Sequence, residues 1–504
     1  MGPGGRQPRV VTGLDDPTAF VPASPGGHLY LLEDGVWTEI ADHLSDWATG
    51  AAVHQERLMH QLAHFRPAEA SDRTCGSSHA RAEARATSTG PNDPGLVRTQ
   101  RRHWSESCER KARAVNEMTS RQRVLAAIDH REPDRVPIVL GVSNATGLKM
   151  KPYRRLAELL GTEPDDRYLY EWPELGTAAI DERTLVRLGT DVRGVLDREP
   201  AAVLDANASR PPHSDYINSW GSGATEVRPG EWFPMVCPLA AATSIEEIDD
   251  YAWPDMDDPT RVAHVAAEAE TLAADGRYAI MATPWLLFPL ERAFAMQGMD
   301  TFLMNLALYP DFADALLWKI ESLCKTLMGH FLEALGPNVD IIKIGDDLGT
   351  QESLLMSPTM YRSILKPIHA DYIDFIKQRT SASVFFHTDG DVFPLVDDFV
   401  EMGVDILNPI QTSAGKMSDL AGLKARWGGE LTFCGAIDTH RILPSGTPRE
   451  VTEEVGRVID VLAPGGGYMV SSVHTVMDDV PPENILAMVD AVAEFGRYPI
   501  AASP

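Results

Sequence analysis

From Met118 onward the chain alternates short apolar runs with longer amphipathic stretches, and the alternation repeats eight times. The runs are Val136–Gly141, Thr190–Leu196, Tyr278–Pro284, Val339–Gly345, Ser383–Asp389, Val404–Ile410, Leu431–Ile437 and Gly467–Val473. Short apolar runs between turn signals are the pattern of buried strands. Between them Leu316–Leu335, Ser357–Arg379, Val392–Met402, Pro448–Leu462 and Pro482–Phe495 place apolar residues at helical spacing. Strands and helices in strict alternation require right-handed crossovers between parallel neighbours. Eight such units predict an α/β fold, a (β/α)8 TIM barrel. The largest insertion, Asp197–Gly276, reads as a hairpin with a following helix. A doubly wound open sheet is the competing topology, but no G-x-G-x-x-G follows the first run, which weakens its dinucleotide-binding form.

Residues 1–117 have another texture. Pro/Gly runs and an Arg/Ser/Ala/Thr-rich stretch from Arg66 onward bury little apolar surface and predict a mostly disordered, low-complexity extension. Only 28–65 has enough apolar periodicity for a helical segment. The predicted division is an extension over 1–117 and a barrel domain over 118–504. Thr119 or Ser120 is expected to cap a first helix, Arg121–His130, which Glu132-Pro133-Asp134 ends. Met118 would also serve as a start of translation, and removing 1–117 is expected to leave folding intact.

Composition narrows the function. With 45 Lys+Arg against 73 Asp+Glu, the 504 residues carry a formal charge of −28, which argues against a nucleic-acid or anionic membrane partner. Five cysteines without C-x-x-C spacing give neither a disulfide framework nor a zinc ribbon and point to a reducing compartment. No apolar run approaches the ~18 residues of a membrane span. The expectation is a cytoplasmic protein that acts on a small-molecule substrate.

In such a barrel the chemistry sits where strands end. His387 and Asp389 end the fifth run two residues apart, so both side chains can face the mouth. With His474 from the eighth run they form a set able to bind zinc with an open position, or Fe(II) or Mn(II). The same residues can equally be hydrogen-bonded rim groups, with Asp389 in an Asx-turn. Asp346 and Asp347 end the fourth run and can act as general acid/base or substrate-orienting carboxylates, or cap the helix that follows them. Neighbouring positions face opposite ways, so one of the two reaches the centre. Asn144, Trp285, Asn408 and Gln411 are candidate substrate contacts, as are Phe288, Lys149 and Arg193. Cys434 is either a soft ligand or core filler, the commoner role of a buried thiol.

Six segments, Met118–Ile138, Ala282–Leu303, Ile342–Arg362, Val384–Gln411, Thr432–Val451 and Gly465–Met488, resemble in sequence and order the uroporphyrinogen decarboxylase superfamily, most nearly its corrinoid-linked methyltransferase branch. The resemblance runs from Met118 to Tyr498 and implies the same barrel. In the methyltransferase branch it implies zinc held by a His-x-Cys pair after strand 5 and a Cys after strand 8. Here His387 matches the first ligand, Asp389 stands for the first Cys and His474 for the second. Harder ligands leave a metal more Lewis-acidic and less suited to thiolate chemistry. In the decarboxylase branch a His matches His474, and an Arg-rich motif after strand 1 binds substrate carboxylates. Gly141–Lys149 lacks those arginines. The resemblance therefore implies metal-assisted methyl transfer, with a divalent metal such as zinc and a corrinoid protein in trans. Uroporphyrinogen decarboxylation and non-catalytic binding of a corrinoid or small ligand are the alternatives.

Overall fold

The computed structural model describes residues 29–33, 36–41, 117–169, 176–210, 214–228, 231–285 and 288–500. Seven parallel strands form one curled sheet: β3 (Val192–Val195), β7 (Ala279–Ala282), β8 (Ile341–Gly345), β9 (Ser383–His387), β10 (Ile406–Asn408), β11 (Thr432–Ile437) and β12 (Tyr468–Ser472), each bonded to the next. The eighth stave is the predicted first strand, Val136–Gly141, which joins by only a few bonds. Val139 N donates to Val470 O and Val470 N to Pro137 O, while Asp191 N donates to Ile138 O, each at 2.9 Å. Pro137 has no N–H and Gly141 has a φ of 84°, so a regular ladder cannot run through the segment. It nevertheless bridges β12 and β3 and closes the barrel.

A repeated device registers the staves at their N-terminal ends. Asp191, Asp340 and Asp405 each precede a strand and accept the N–H of Ile138, Ile280 or Val384 on the neighbouring stave, at 2.8, 2.9 and 2.7 Å. Asp191 also pairs with Arg123 and Arg135 at 2.6 and 2.8 Å. Helix α1 (Ser120–Ile128), capped by Thr119 in a capping box with Gln122, closes this end. Its Val124 and Ala127 pack against an interior layer of Val139, Val192, Ala279, Met281, Ile341, Phe385, Ile406, Cys434 and Met469. Cys434 is thus core, and burial pushes its thiol well above the ordinary range. Outward residues such as Ile342, Val384, Phe386, Leu407 and Val470 pack against the helical shell.

The pleat carries this interior toward the opposite end. Two residues beyond the apolar layer, the inward positions are Gly194, Thr283, Lys343, His387, Asn408 and Ser471. Period two therefore turns an apolar floor into a polar mouth.

The Asp197–Gly276 insertion contains a helix, Ala201–Ala208, a three-stranded antiparallel sheet, Tyr216–Ile217, Gly223–Arg228 and Glu231–Val236, and helices Ile245–Asp250 and Val265–Asp275. The predicted hairpin gains a third strand and a preceding helix. Within 28–65, read from the sequence as helical, Leu29–Glu33 and Val36–Ala41 instead pair as an antiparallel hairpin. Asp34-Gly35 lies between two β-rich runs, a hairpin signature that outweighs helical periodicity over so short a stretch. The remainder of 1–116, and with it the disorder expected there, lies outside the described residues. No described helix is long and apolar enough to cross a membrane.

Candidate metal centre at the barrel mouth

His387, Asp389 and His474 meet at the mouth, all three buried, with one ligand atom from each within 4.8 Å of the others. His474 Nε2 lies 3.8 Å from Asp389 Oδ2, and the two imidazoles are 5.3 Å apart between centroids. Hydrogen bonding fixes the tautomer of His387. Asn408 Nδ2 donates to Cys434 O at 3.2 Å, which turns Oδ1 toward His387 Nδ1 at 2.7 Å. Nδ1 is therefore the donor, and Nε2 keeps its lone pair for the centre.

Two tight loops hold Asp389. Gly349 N donates to Asp389 O at 3.1 Å, Asp391 N to Thr350 O at 2.8 Å, and Gly390 N to Gln411 Oε1 at 2.6 Å. Gly390 has a φ of 92°, and a Cβ there would lie 2.2 Å from the carbonyl carbon of Gly349. Only glycine permits this contact. With its backbone so fixed, Asp389 turns its side chain inward, and neither carboxylate oxygen has a hydrogen-bond partner among the described residues. A buried, unpaired carboxylate is costly, and a bound cation is the usual remedy.

Burial sets the protonation states. It holds His387 well below its ordinary pKa, aided by Lys343 and His474, and His474 at about 3, aided by Lys343. Both rings are neutral, as ligation requires. Burial and the Asp347 charge raise Asp389 well above the carboxylate range. Beside the trio lies a second group of charges. Asp347 Oδ1 accepts the Asp389 N–H at 2.9 Å and lies 4.0 Å from His387 Nε2. Burial raises Asp347 to about 6, and a side-chain hydrogen bond links it to Glu291. Glu291 is itself raised well above its ordinary value by burial and by Asp347 and Asp346. Lys343, lowered to about 8 by burial, donates to Asn144 Oδ1 at 2.9 Å.

The other sequence candidates fall in different places. Asp346 is turned away from the cluster. It accepts from Leu290 N and Glu291 N at 3.0 and 2.9 Å, capping helix α7 (Pro289–Gln297; helices are numbered along the chain), and it lies 3.0 Å from His369 Nε2. These contacts are those of a helix cap, made to the helix before it in sequence and not to the following one that was expected. Asn408 and Gln411, expected to contact substrate, direct their polar atoms to His387 and to the Asp389 loop. Asn144 meets Lys343. Trp285 N donates to Asp197 at 2.5 Å, and its ring packs with Tyr216 and Leu196 at the insertion. Phe288 is core, edge-on to Tyr372 and Phe386. Arg193 is spent on Glu182, 2.7 Å away. Lys343 and Glu291 were absent from the sequence reading. A lysine on the inward parity of an apolar strand is a usable signal for the first, whereas Glu291 sits on a helix and gives none.

Fold and site together define an α/β barrel with a polar, acidic mouth and a candidate cation site. A family model described as uroporphyrinogen decarboxylase (URO-D) matches residues 234–495, more than half of the chain, and the chain belongs to that family. Uroporphyrinogen decarboxylase of Legionella pneumophila (strain Lens) is 26% identical over 178 residues, covering 35% of this chain and 47% of that protein. The enzyme of the same name from Psychromonas ingrahamii is 34% identical over 77 residues, 15% of this chain and 21% of that one. The chain thus matches about half or less of these relatives' length. Among solved structures, a methyltransferase from Methanosarcina mazei superposes with a TM-score of 0.51 at 18% identity, over 75% of this chain and 99% of that one. That likeness is one of fold.

Proposed function

We propose that this chain is a metal-dependent enzyme that transfers a methyl group from a small methylated substrate, with a corrinoid protein as the partner in trans. The observation that carries the metal reading is Asp389, whose two buried oxygens lack partners and face two neutral imidazoles. His387 through Nε2, His474 and Asp389 would hold the cation, and two nitrogens with one oxygen suit zinc with an open position. When bound, it supplies Lewis acidity toward a substrate heteroatom. The protein's own groups do the rest. Asn408 fixes the His387 ring, Asp347 and Glu291 share a proton beside the centre, and Lys343 offers ammonium protons to a polar substrate group. Asn408 and Asp347 are buried and Glu291 and Lys343 half-buried, which keeps the dielectric low and strengthens each contact. The methyltransferase named among the structural neighbours fits this reading.

Decarboxylation is the second reading, favoured by the names of the curated relatives and by His474, which stands where the decarboxylase branch carries a His. The charge of the mouth opposes it. Lys343 is already surrounded by Glu291, Asp347 and Asp389, and Gly141–Lys149 supplies no arginine, so the many carboxylates of a tetrapyrrole would lack paired cations.

Metal analysis of protein purified without a tag tests the proposal, together with a corrinoid methylation assay on methylated amines, ethers and thioethers. Near-stoichiometric metal that is lost in His387→Ala, with methyl-corrinoid formation, is the expected result. Metal-free protein that turns over uroporphyrinogen would establish the second reading instead.

A further inference from the structure

Arg292 lies on α7, one residue beyond Glu291, and is wholly buried. None of its three guanidinium nitrogens has a hydrogen-bond partner among the described residues. One face is covered, since Cζ lies 4.5 Å from the centroid of the Trp220 ring. The insertion supplies that ring and pins it, through Trp220 N to Asn218 Oδ1 at 2.9 Å and Tyr251 Oη to Trp220 O at 2.7 Å. The acids whose fields reach Arg292, Glu199 and Glu291, are engaged elsewhere. Glu199 accepts from Ser219 N at 3.2 Å and lies 3.9 Å from Arg261, while Glu291 bonds to Asp347. Burial lowers the guanidinium to about 10, so the group is still a cation at neutral pH.

A guanidinium stacked on an aromatic face keeps its in-plane donors for a planar anion, and their fork matches a carboxylate. Five buried donors with no acceptor are otherwise a cost that the fold has no evident reason to bear. Thr283, at the other end of the connection from β7 to α7, likewise has a buried hydroxyl without a partner. We propose that Arg292 anchors the carboxylate of the substrate, so that the substrate is a small methylated carboxylic acid reaching from the metal centre toward the insertion. The substrate class rests on the function proposed above, whereas the anion site rests on Arg292 alone.

Thermal melts and isothermal titration of the holoprotein with N,N-dimethylglycine, succinate and inorganic phosphate test this, in the wild type, Arg292→Met, Arg292→Lys and His387→Ala. A carboxylate probe is expected to bind and raise the melting temperature. Arg292→Met should weaken that binding by at least about tenfold, with Arg292→Lys intermediate. Without probe, Arg292→Met should melt at or above the wild type, because it removes an uncompensated buried charge. His387→Ala should lose metal and keep probe binding, which separates the anchor from the metal reading. Three results would overturn the anchor: probe binding lost in His387→Ala but kept in Arg292→Met; binding of phosphate alone; or a large fall in the melting temperature of Arg292→Met with probe affinity unchanged.

Discussion

Replacing Asp389 with Asn isolates the feature on which the metal reading rests. In the metal-free protein the carboxyl is buried without a partner, and burial raises its pKa well above the unfolded value. The folded state therefore holds a proton that the unfolded chain releases above pH ~4. Stability associated with this group is present below that pH and is lost as pH rises toward the folded value, at about 1.4 kcal/mol per unit. Asp389→Asn removes this loss. In a chelator the variant should equal the wild type near pH 4 and exceed it increasingly as pH rises from there, by up to about 1.4 kcal/mol per unit. Metal reverses the order. At a free concentration of 100 Kd it stabilises the wild type by about 2.7 kcal/mol, and the variant, lacking its anionic ligand, gains little. Urea unfolding at three pH values, with EDTA or with zinc, reads both effects, and elemental analysis gives the stoichiometry. A variant less stable than wild type in EDTA would mean that the carboxylate is already paired in the fold. Full retention of zinc stabilisation would remove Asp389 from the centre.

Three further outcomes follow from the same contacts. Asn408→Ala frees the His387 ring and should weaken metal binding about 10- to 100-fold in a competition titration with a chromophoric chelator, with little change in fold by circular dichroism. Asp346→Ala strands the buried Leu290 N–H, the part-buried Glu291 N–H and His369, and should cost roughly 3–5 kcal/mol in urea unfolding while the folded fraction keeps its metal; loss of metal at unchanged stability would contradict the capping role. Metal affinity should rise with pH above ~4, by up to about tenfold per unit, because Asp389, whose pKa burial raises, must shed a proton while His474, at about 3, is already neutral. A flat profile over that range would show that no proton is displaced.

The barrel was legible because its rule is local. Seven apolar runs became strands, and the departure at Val136–Gly141 came from Pro137, whose missing N–H limits the ladder. His387-x-Asp389 was legible for the same reason, since period two decides which way both side chains face. What could not be read was how each polar side chain finds its partner. Asn408 and Gln411 look like substrate contacts in sequence, yet long-range pairing turns one to an imidazole and the other to a loop amide. Asp346 and Asp347 are adjacent and chemically identical. Only the placement of the α7 N-terminus beside the end of β8 decides that the first caps a helix while the second joins the centre. Arg292 is a helical arginine like any other until the insertion lays Trp220 over it.

The nesting of Gly349 against Gly390 has a consequence for how this protein can change. Two backbones in contact leave no room for an added residue or side chain in either loop, so variation in what the protein accepts must come from the other rim. There, the segment between β3 and β7 already carries the long insertion. Homologues that differ in specificity should keep these two loops at constant length and diverge in the insertion, and attempts to redirect the enzyme by loop grafting should begin on that side.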